Sequence, residues 1–152
     1  MVITFFGHSR VTNHDELFER VRSVIGSLVI AEEPIVFYCG GYGDFDAIAL
    51  RACREIKKQG IRCEIVYVTP YLDLGRQKEL SKLVKSGYYD ATVYPPIENV
   101  PPRYAISKRN EWMVCNADVI VSYVRFSYGG AYTALRYAWR KGKRIIDLAS
   151  TQ

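Results

Sequence analysis

Three glycine-containing turns carry most of the residues in this sequence that could bind a ligand. Each turn follows a short apolar run and leads into a segment with helical periodicity. Such turns place backbone N–H groups and a helix N-terminus beside a phosphate. Because the carboxyl ends of parallel strands meet at one edge of a sheet, we expect the turns to surround one pocket. They are Gly7-His8-Ser9-Arg10, Gly40-Gly41-Tyr42-Gly43-Asp44 and Gly129-Gly130.

The second turn offers glycines together with two carboxylates. Its pattern is too short for the GxGxxG dinucleotide motif and lacks the Lys of a P-loop. The glycines Gly40, Gly41 and Gly43 still permit positive φ and a close backbone approach to a ligand. One interpretation is that Asp44 only caps the helix that follows. The other is that Asp44 or Asp46 holds a ribose hydroxyl or polarises a water, which makes them the candidate catalytic residues.

A polar pair, Arg109 and Asn110, lies on a later predicted helix. Helical spacing places Asn110 on one stripe with Ile106 and Met113, so its amide is predicted to need buried partners. Arginine is the usual bidentate ligand of phosphate, and we expect Arg109 to bind one. If it had no ligand, a surface ion pair would be its role.

The third turn opens a helix whose first N–H groups could bind an anion, and Thr133 adds a hydroxyl one turn later. The alternative is a tight turn with an ordinary helix start. In the first turn, His8 has no neighbouring acid to orient it, so binding or packing is its expected role. Tyrosines could stack on a base, although packing is the expected role of most of them. Those near predicted strand ends are Tyr38, Tyr42, Tyr67, Tyr71, Tyr123 and Tyr128.

The elements between these turns alternate regularly between short apolar runs and amphipathic segments. Apolar runs at 2–6, 35–39, 61–68, 118–124 and 144–148 predict strands, and residues 88–94 predict a short one at most. Segments starting near 13, 44, 73, 102 and 130 predict helices, the first two capped by Asn13 and Asp44. Continuous apolar strands between helices are typical of a mostly parallel sheet covered on both faces. The sequence therefore predicts an α/β fold, a Rossmann-like three-layer α/β/α sandwich. Hydrophobic periodicity does not reveal the order of the strands in the sheet.

The composition of the chain indicates which classes of protein it can belong to. A chain of 152 residues with 49% hydrophobic residues predicts one domain, 1–152. Its net charge of +5 suits an anionic small molecule or, less specifically, nucleic acid. No apolar run is long enough to span a membrane, and no signal peptide is evident. The four cysteines form no CxxC pair, and His8 and His14 lack metal-ligand spacing, so we expect buried reduced thiols, no metal, no cofactor and a cytoplasmic protein.

The same motifs, in the same order, resemble the SLOG superfamily, which includes the DNA-processing protein DprA and the LOG-type phosphoribohydrolases. The first two glycine turns resemble those of the family. Arg109-Asn110 with the strand that follows is similar to the Arg-Asn helix of DprA, and Gly129-Gly130 falls where LOG proteins carry Pro-Gly-Gly. The small YpsA-like branch is the most similar in order and spacing. The resemblance implies a nucleotide-sized pocket and a dimer.

The sequence departs from the LOG pattern at the residue that carries the reaction. Alignment on Gly129-Gly130 puts Arg136 where LOG proteins have their catalytic glutamate, and such a change removes the acid that would assist an oxocarbenium-like transition state. We therefore expect binding or sensing of a nucleotide or nucleotide-derived ligand. The alternatives are a nucleotide N-glycosidase or deoxyribosyltransferase that uses Asp44 or Asp46, and single-stranded DNA binding in the manner of DprA.

Overall fold

A six-stranded, all-parallel sheet forms the centre of the molecule. The computed structural model describes residues 1–30 and 33–149. The strand order is β4-β3-β2-β1-β5-β6, and β1 lies between β2 and β5. The strands are β1 (Val2–Gly7), β2 (Ile35–Cys39), β3 (Cys63–Val68), β4 (Ala91–Val93), β5 (Val119–Tyr123) and β6 (Arg144–Asp147).

Five α-helices cover the sheet, and all connections have the length of a parallel crossover. Helices α1 and α2 pack on one face over a core that includes Phe5, Phe37 and Phe45. Helices α4 and α5 pack on the other face around Phe6, Met113 and Ala138. The helices are α1 (His14–Leu28), α2 (Asp44–Lys58), α3 (Leu74–Lys85), α4 (Ala105–Asn116) and α5 (Gly130–Arg140). The three-layer α/β prediction is confirmed.

The strand order, which the sequence could not give, determines where the turns meet. The chain starts in the middle of the sheet, runs outward from β1 to β4, and returns to the other side of β1 with β5. Ligands of open α/β sheets bind outside the carboxyl ends of the strands where the order reverses in this way. Here that point lies between β1 and β5, next to β2.

Several local predictions need correction. Asn13 makes no side-chain capping bond to α1, and Asp44 is the first residue of α2 rather than its cap. The predicted helix from Pro102 begins as a 3-10 helix, Pro102–Tyr104, and becomes α-helical at Ala105. Of the cysteines, Cys39 and Cys53 are buried as expected, but Cys63 is half-buried and Cys115 is exposed.

No helix among the described residues combines the length and the apolar character that crossing a membrane requires. The same residues contain no group of three or more His, Cys, Asp or Glu side chains arranged to hold a metal ion.

Candidate functional site

A cavity of about 200 Å³ lies at the carboxyl ends of β1 and β2, beneath the N-terminal halves of α4 and α5. Its lining brings together residues that are far apart in the sequence. Seven of the candidate ligand-binding residues predicted from the sequence line it, namely Gly7, Gly40, Tyr42, Asp46, Arg109, Asn110 and Gly130. The glycine turns thus share one edge of the sheet, and Arg109 lies between them.

A second cavity, of about 290 Å³, continues outward between α4 and α5. It shares Ile106, Asn110 and Gly130 with the first, so the two form one groove. Thr133 borders this outer part, but its hydroxyl donates to the Gly129 carbonyl at 3.0 Å. The groove leads from the buried Arg109 to the solvent-exposed side chain of Arg140.

Arg109 is the most constrained polar side chain of the site. It is only 4% exposed, in contrast to the surface ion pair weighed as the alternative from the sequence. Its Nη1 donates to the carbonyl oxygens of Val68 at 2.7 Å and Gly40 at 3.1 Å, and its Nε donates to Asn110 Oδ1 at 3.0 Å. The bonds to Val68 and Gly40 join the ends of β3 and β2 to α4, and the bond to Asn110 lies within α4. They also fix the plane of the guanidinium group.

The remaining donors of Arg109 are free. An arginine has five N–H groups, and the two on Nη2 have no hydrogen-bond partner among the described residues. Burial lowers the pKa of Arg109, and the nearby Asp46 carboxyl opposes that effect. Arginine nevertheless keeps its charge at neutral pH. Nη2 is therefore a charged donor of fixed orientation on a residue that lines the cavity.

The buried stripe that helical spacing predicted for α4 is confirmed at Met113 but is wrong in the first turns of the helix. Ile106 is exposed and Asn110 is half-buried, whereas Arg109 and Met113 are buried. The apolar periodicity of α4 is weak because its middle is polar, so the pattern could not tell which member of the Arg-Asn pair faces inward. Asn110 serves as the acceptor that orients Arg109.

The two carboxylates of the second turn face different ways. Asp44 Oδ2 accepts the Val11 N–H at 3.0 Å and lies 3.5 Å from His14 Nε2, away from the cavity. Asp46 Oδ2 accepts the Tyr42 N–H at 2.9 Å and lines the cavity. Burial raises the pKa of Asp46 to about 6, although the Tyr42 N–H and the charge of Arg109 act in the opposite direction. Only Asp46 is placed to meet a ligand there.

The first turn occupies the N-terminus of α2. The Ser9 and His8 carbonyls accept the N–H groups of Asp44 and Phe45 at 2.9 and 3.3 Å. Gly43, at φ +91°, packs so closely on Ser9 that a Cβ atom there would lie 2.6 Å from the Ser9 Cα. A phosphate at this helix start would have to displace the protein's own backbone. Ser9 and Arg10 are exposed at the rim.

His8 connects the first turn to the loop after β5. Its Nε2 accepts the Arg125 N–H at 2.7 Å, so this ring nitrogen carries no proton. Burial lowers the pKa of His8, as does the charge of Arg125, and Asp147 partly offsets both. The ring also packs against Phe126, with centroids 4.9 Å apart. His8 thus positions this loop rather than acting as an isolated catalyst.

The third turn, in contrast, is open. No atom lies within 4 Å of the position a Cβ would take at Gly129 or Gly130. The first backbone bond of α5 is from Thr133 N to Gly129 O at 3.0 Å. The N–H groups of Gly130, Ala131 and Tyr132 therefore have no partner among the described residues, and Gly130 and Ala131 line the same cavity as Arg109.

Exposed aromatic rings occur in the turns next to the cavity, and one of them, Tyr42, lines it. Tyr42 is 70% exposed and Tyr128 is 71% exposed, and the Tyr128 ring stacks on Phe126 with centroids 5.4 Å apart. Of the other tyrosines singled out, Tyr71 is exposed, whereas Tyr67 and Tyr123 are buried and Tyr38 is half-buried. Tyr67 and Tyr123 act in packing.

Sequence reasoning missed part of this rim. Arg125 and Phe126 follow β5 directly, and Arg103 lies in the 3-10 helix, with its guanidinium 4.8 Å from the Tyr104 ring centroid. In the sequence, Arg125 and Phe126 could have been recognised as an arginine next to an aromatic residue that follows a buried strand. Arg103 and Arg125 have no carboxylate oxygen within 4.0 Å in the described part of the chain. Their charges are free to meet an anionic ligand.

Arg136, at the position of the LOG glutamate, lies outside the cavity. It is exposed on α5, with its guanidinium 5.8 Å from the Tyr132 ring centroid. It contributes no acid to this site.

Comparison with known proteins identifies the fold. No protein-family model matches this sequence, and no curated protein matches it either. A solved structure of DNA processing protein A from Helicobacter pylori does match, with a TM-score of 0.59. The chain has the fold of that protein. The similarity covers 97% of this chain and 64% of the other, and 15% of the residues are identical, so it concerns the fold alone.

DNA processing protein A is one of the two proteins named in the SLOG resemblance, so that part of the resemblance is confirmed at the level of the fold. The Helicobacter pylori structure was described for its single-stranded DNA binding mode. The YpsA-like branch stays a prediction. This chain spans about two thirds of the length of the Helicobacter pylori chain (64%).

Proposed function

We propose that the carboxyl edge of this sheet binds single-stranded DNA, with one backbone phosphate held between Arg109 and the N-terminus of α5. The observation that carries the proposal is that Arg109, Gly130 and Ala131 line one cavity, while the Arg109 Nη2 and the N–H groups of Gly130 and Ala131 have no hydrogen-bond partner among the described residues. A helix N-terminus and a guanidinium group are both donors that suit a phosphate. Few existing hydrogen bonds within the protein would have to be broken when a phosphate binds to these donors.

The rim supports a strand rather than an isolated anion. Proteins that bind single strands combine a positively charged groove with aromatic side chains on which bases stack. Tyr42, Phe126 and Tyr128 supply exposed rings here, and Arg103 and Arg125 supply unpaired charge. The net charge of +5 favours a polyanion as well. The fold shared with a protein described for single-stranded DNA binding is consistent with this function.

Binding of fluorescein-labelled dT20, followed by fluorescence anisotropy, tests the proposal. Tyr128→Ala should weaken binding by about 1–3 kcal/mol, which is the value of one stacked base. Trp139→Ala is the matched control, since Trp139 is also an exposed aromatic residue, at 57%, but lies at the opposite end of α5. Affinity should fall steeply with added salt. Equal losses in both variants, or no binding by the natural protein, would contradict the proposal.

A free nucleotide is the second candidate, and the size of the groove favours it. The outer cavity of about 290 Å³ is close to the lower limit of small-ligand pockets, and it adjoins the Arg109 cavity. A nucleotide could place its phosphate at Arg109 and its base between α4 and α5. A thermal-shift screen of mono-, di- and cyclic nucleotides separates the two candidates, because a ligand at 100 times its Kd adds about 2.7 kcal/mol of stability.

A further inference from the structure

Asp46 introduces a negative charge into a cavity otherwise suited to anions. A Cβ atom on Gly40 would lie 3.1 Å from Asp46 Oδ2 and 3.4 Å from both Nη1 and Nη2 of Arg109. The two side chains therefore flank the same small space. No oxygen of Asp46 lies within 4.0 Å of a guanidinium nitrogen, so they form no ion pair.

An anion bound in the cavity that Asp46 and Arg109 both line would lie close to both groups. Its attraction to Arg109 would be opposed by repulsion from the ionised Asp46 carboxylate, and the low dielectric of a cavity strengthens both effects. A proton on the carboxyl removes the repulsion and supplies a donor to the anion. When two acidic groups share one site, one of them commonly takes up a proton, which removes the repulsion between their charges.

Few charged or titratable groups surround Asp46 in the described part of the chain. From α4 the charged neighbour is Arg109, and from the second turn the Tyr42 N–H donates to Oδ2. On the β3–β4 side the ionisable group is the Tyr89 phenol, whose pKa is raised chiefly by burial and slightly by Asp46. On the β1 and α5 sides the cavity is lined by Phe5, Phe6, Gly7, Gly130 and Ala131, none of which titrates.

We infer that the Asp46 carboxyl takes up a proton when a phosphate binds at Arg109, so that ligand binding at this edge strengthens as the pH falls. The inference rests on the proposed function, because it concerns the same phosphate site. According to this inference, Asp46 regulates the affinity of the phosphate site in response to pH.

Burial of the Asp46 carboxyl favours this proton uptake, because burial destabilises the ionised form. It raises the pKa of Asp46 to about 6, so the carboxyl is ionised at pH 7.5 and mostly protonated at pH 5.5. If only the protonated form binds the phosphate, affinity should rise by up to about 25-fold between these two pH values. A larger change would need a second titrating group.

The test uses dT20, whose phosphodiesters do not titrate between pH 5.5 and 7.5. We expect the natural protein to bind it up to about 25-fold more tightly at pH 5.5 than at pH 7.5, at constant ionic strength. Asp46→Asn keeps an acceptor for the Tyr42 N–H. It should bind equally well at both pH values, about as tightly as the natural protein at pH 5.5.

Other outcomes distinguish this inference from the proposed function. The same pH dependence in Asp46→Asn, or its loss in His8→Gln or His14→Gln instead, would overturn the inference and leave DNA binding intact. Loss of all binding in Asp46→Asn would also overturn it. If the natural protein binds dT20 at neither pH, both fail. Calorimetry of the natural protein in buffers of different ionisation enthalpy measures the proton directly, and no uptake at pH 7 would again overturn it.

Discussion

Two glycine turns of this molecule look equivalent in the sequence but differ in the structure. At the Gly40–Gly43 turn, the helix N–H groups of Asp44 and Phe45 already donate to the carbonyls of Ser9 and His8. At the Gly129–Gly130 turn, the N–H groups of Gly130 and Ala131 are unpartnered among the described residues. One turn is filled by the protein's own first loop, and the other is open to a ligand.

The comparison shows that a glycine can signal either packing or binding. A Cβ on Gly7 would lie 2.3 Å from the Phe45 ring, and one on Gly41 would lie 2.1 Å from Tyr67. These glycines make room for the protein itself. Gly130 has nothing within 4 Å, so the space beside it is available to another molecule. We therefore place the proposed anion site at the third turn rather than at all three.

The largest expected effect contrasts Gly43→Ala with Gly130→Ala. Gly43→Ala should lower the free energy of unfolding by about 3 kcal/mol, because the new Cβ meets the Ser9 backbone and φ is positive. Gly130→Ala should change it by no more than about 0.5 kcal/mol. Urea denaturation of both variants measures the difference. Similar losses in both would mean that the third turn is packed as tightly as the second.

Arg109→Ala is expected to affect both folding and binding. It leaves the Gly40 and Val68 carbonyls without their side-chain donor, which should lower the free energy of unfolding by about 2 kcal/mol. Binding of dT20 at a temperature where the variant is folded should fall as well. Asn110→Ala removes only the acceptor of the Arg109 Nε–H. It should therefore lower the free energy of unfolding and the affinity for dT20 by less than Arg109→Ala does. A variant that keeps full stability would show that the three bonds are not formed.

Asp46→Asn should stabilise the protein at neutral pH. The folded-state pKa of Asp46 is raised to about 6, so the folded protein binds this proton more tightly than the unfolded chain does. Stability is therefore lost as the pH rises from about 4 to about 6, and the variant should regain up to about 3 kcal/mol at pH 7.5. At pH 4 the two proteins should be nearly equal. A pH-independent difference in thermal unfolding would contradict the raised pKa.

The smallest expected effect is catalytic. Since Arg136 is exposed and Asp44 faces away from the cavity, we expect no release of free base from nucleoside monophosphates. Chromatography of a panel of ribo- and deoxyribonucleotides incubated with the protein measures it. Base release at about 1 per second or faster, abolished by Asp46→Asn, would instead make Asp46 a catalytic acid.

Most of the fold could be predicted from the sequence because local patterns carry it. Apolar strand runs, the helical spacing of Leu17, Val21 and Ile25, and glycines at helix ends are all short-range signals. The strand order could not be predicted, because it depends on which surfaces pack together far along the chain. For the same reason the sequence could not show that Ser9 fills the start of α2.

The candidate site was predictable in its residue types but not in their roles. An Arg-Asn pair and a Gly-Gly turn are visible in the sequence. Which of Arg109 and Asn110 is buried depends on a one-residue rotation of α4, and the weak apolar pattern of that helix does not fix it. The separation of Asp44 from Asp46 depends on the contact of Val11 with Asp44, which joins two distant segments.

A titration of ¹⁵N-labelled protein with dT10, followed by two-dimensional NMR, tests the central claim most directly. The account predicts the largest shift changes at the backbone amides of Gly130, Ala131 and Tyr132 and at the Arg109 side chain, because these donors gain a partner. The amides of Asp44 and Phe45, already bonded to the first turn, should change little. Changes concentrated at Asp44 and Phe45, with the α5 amides unaffected, would contradict it.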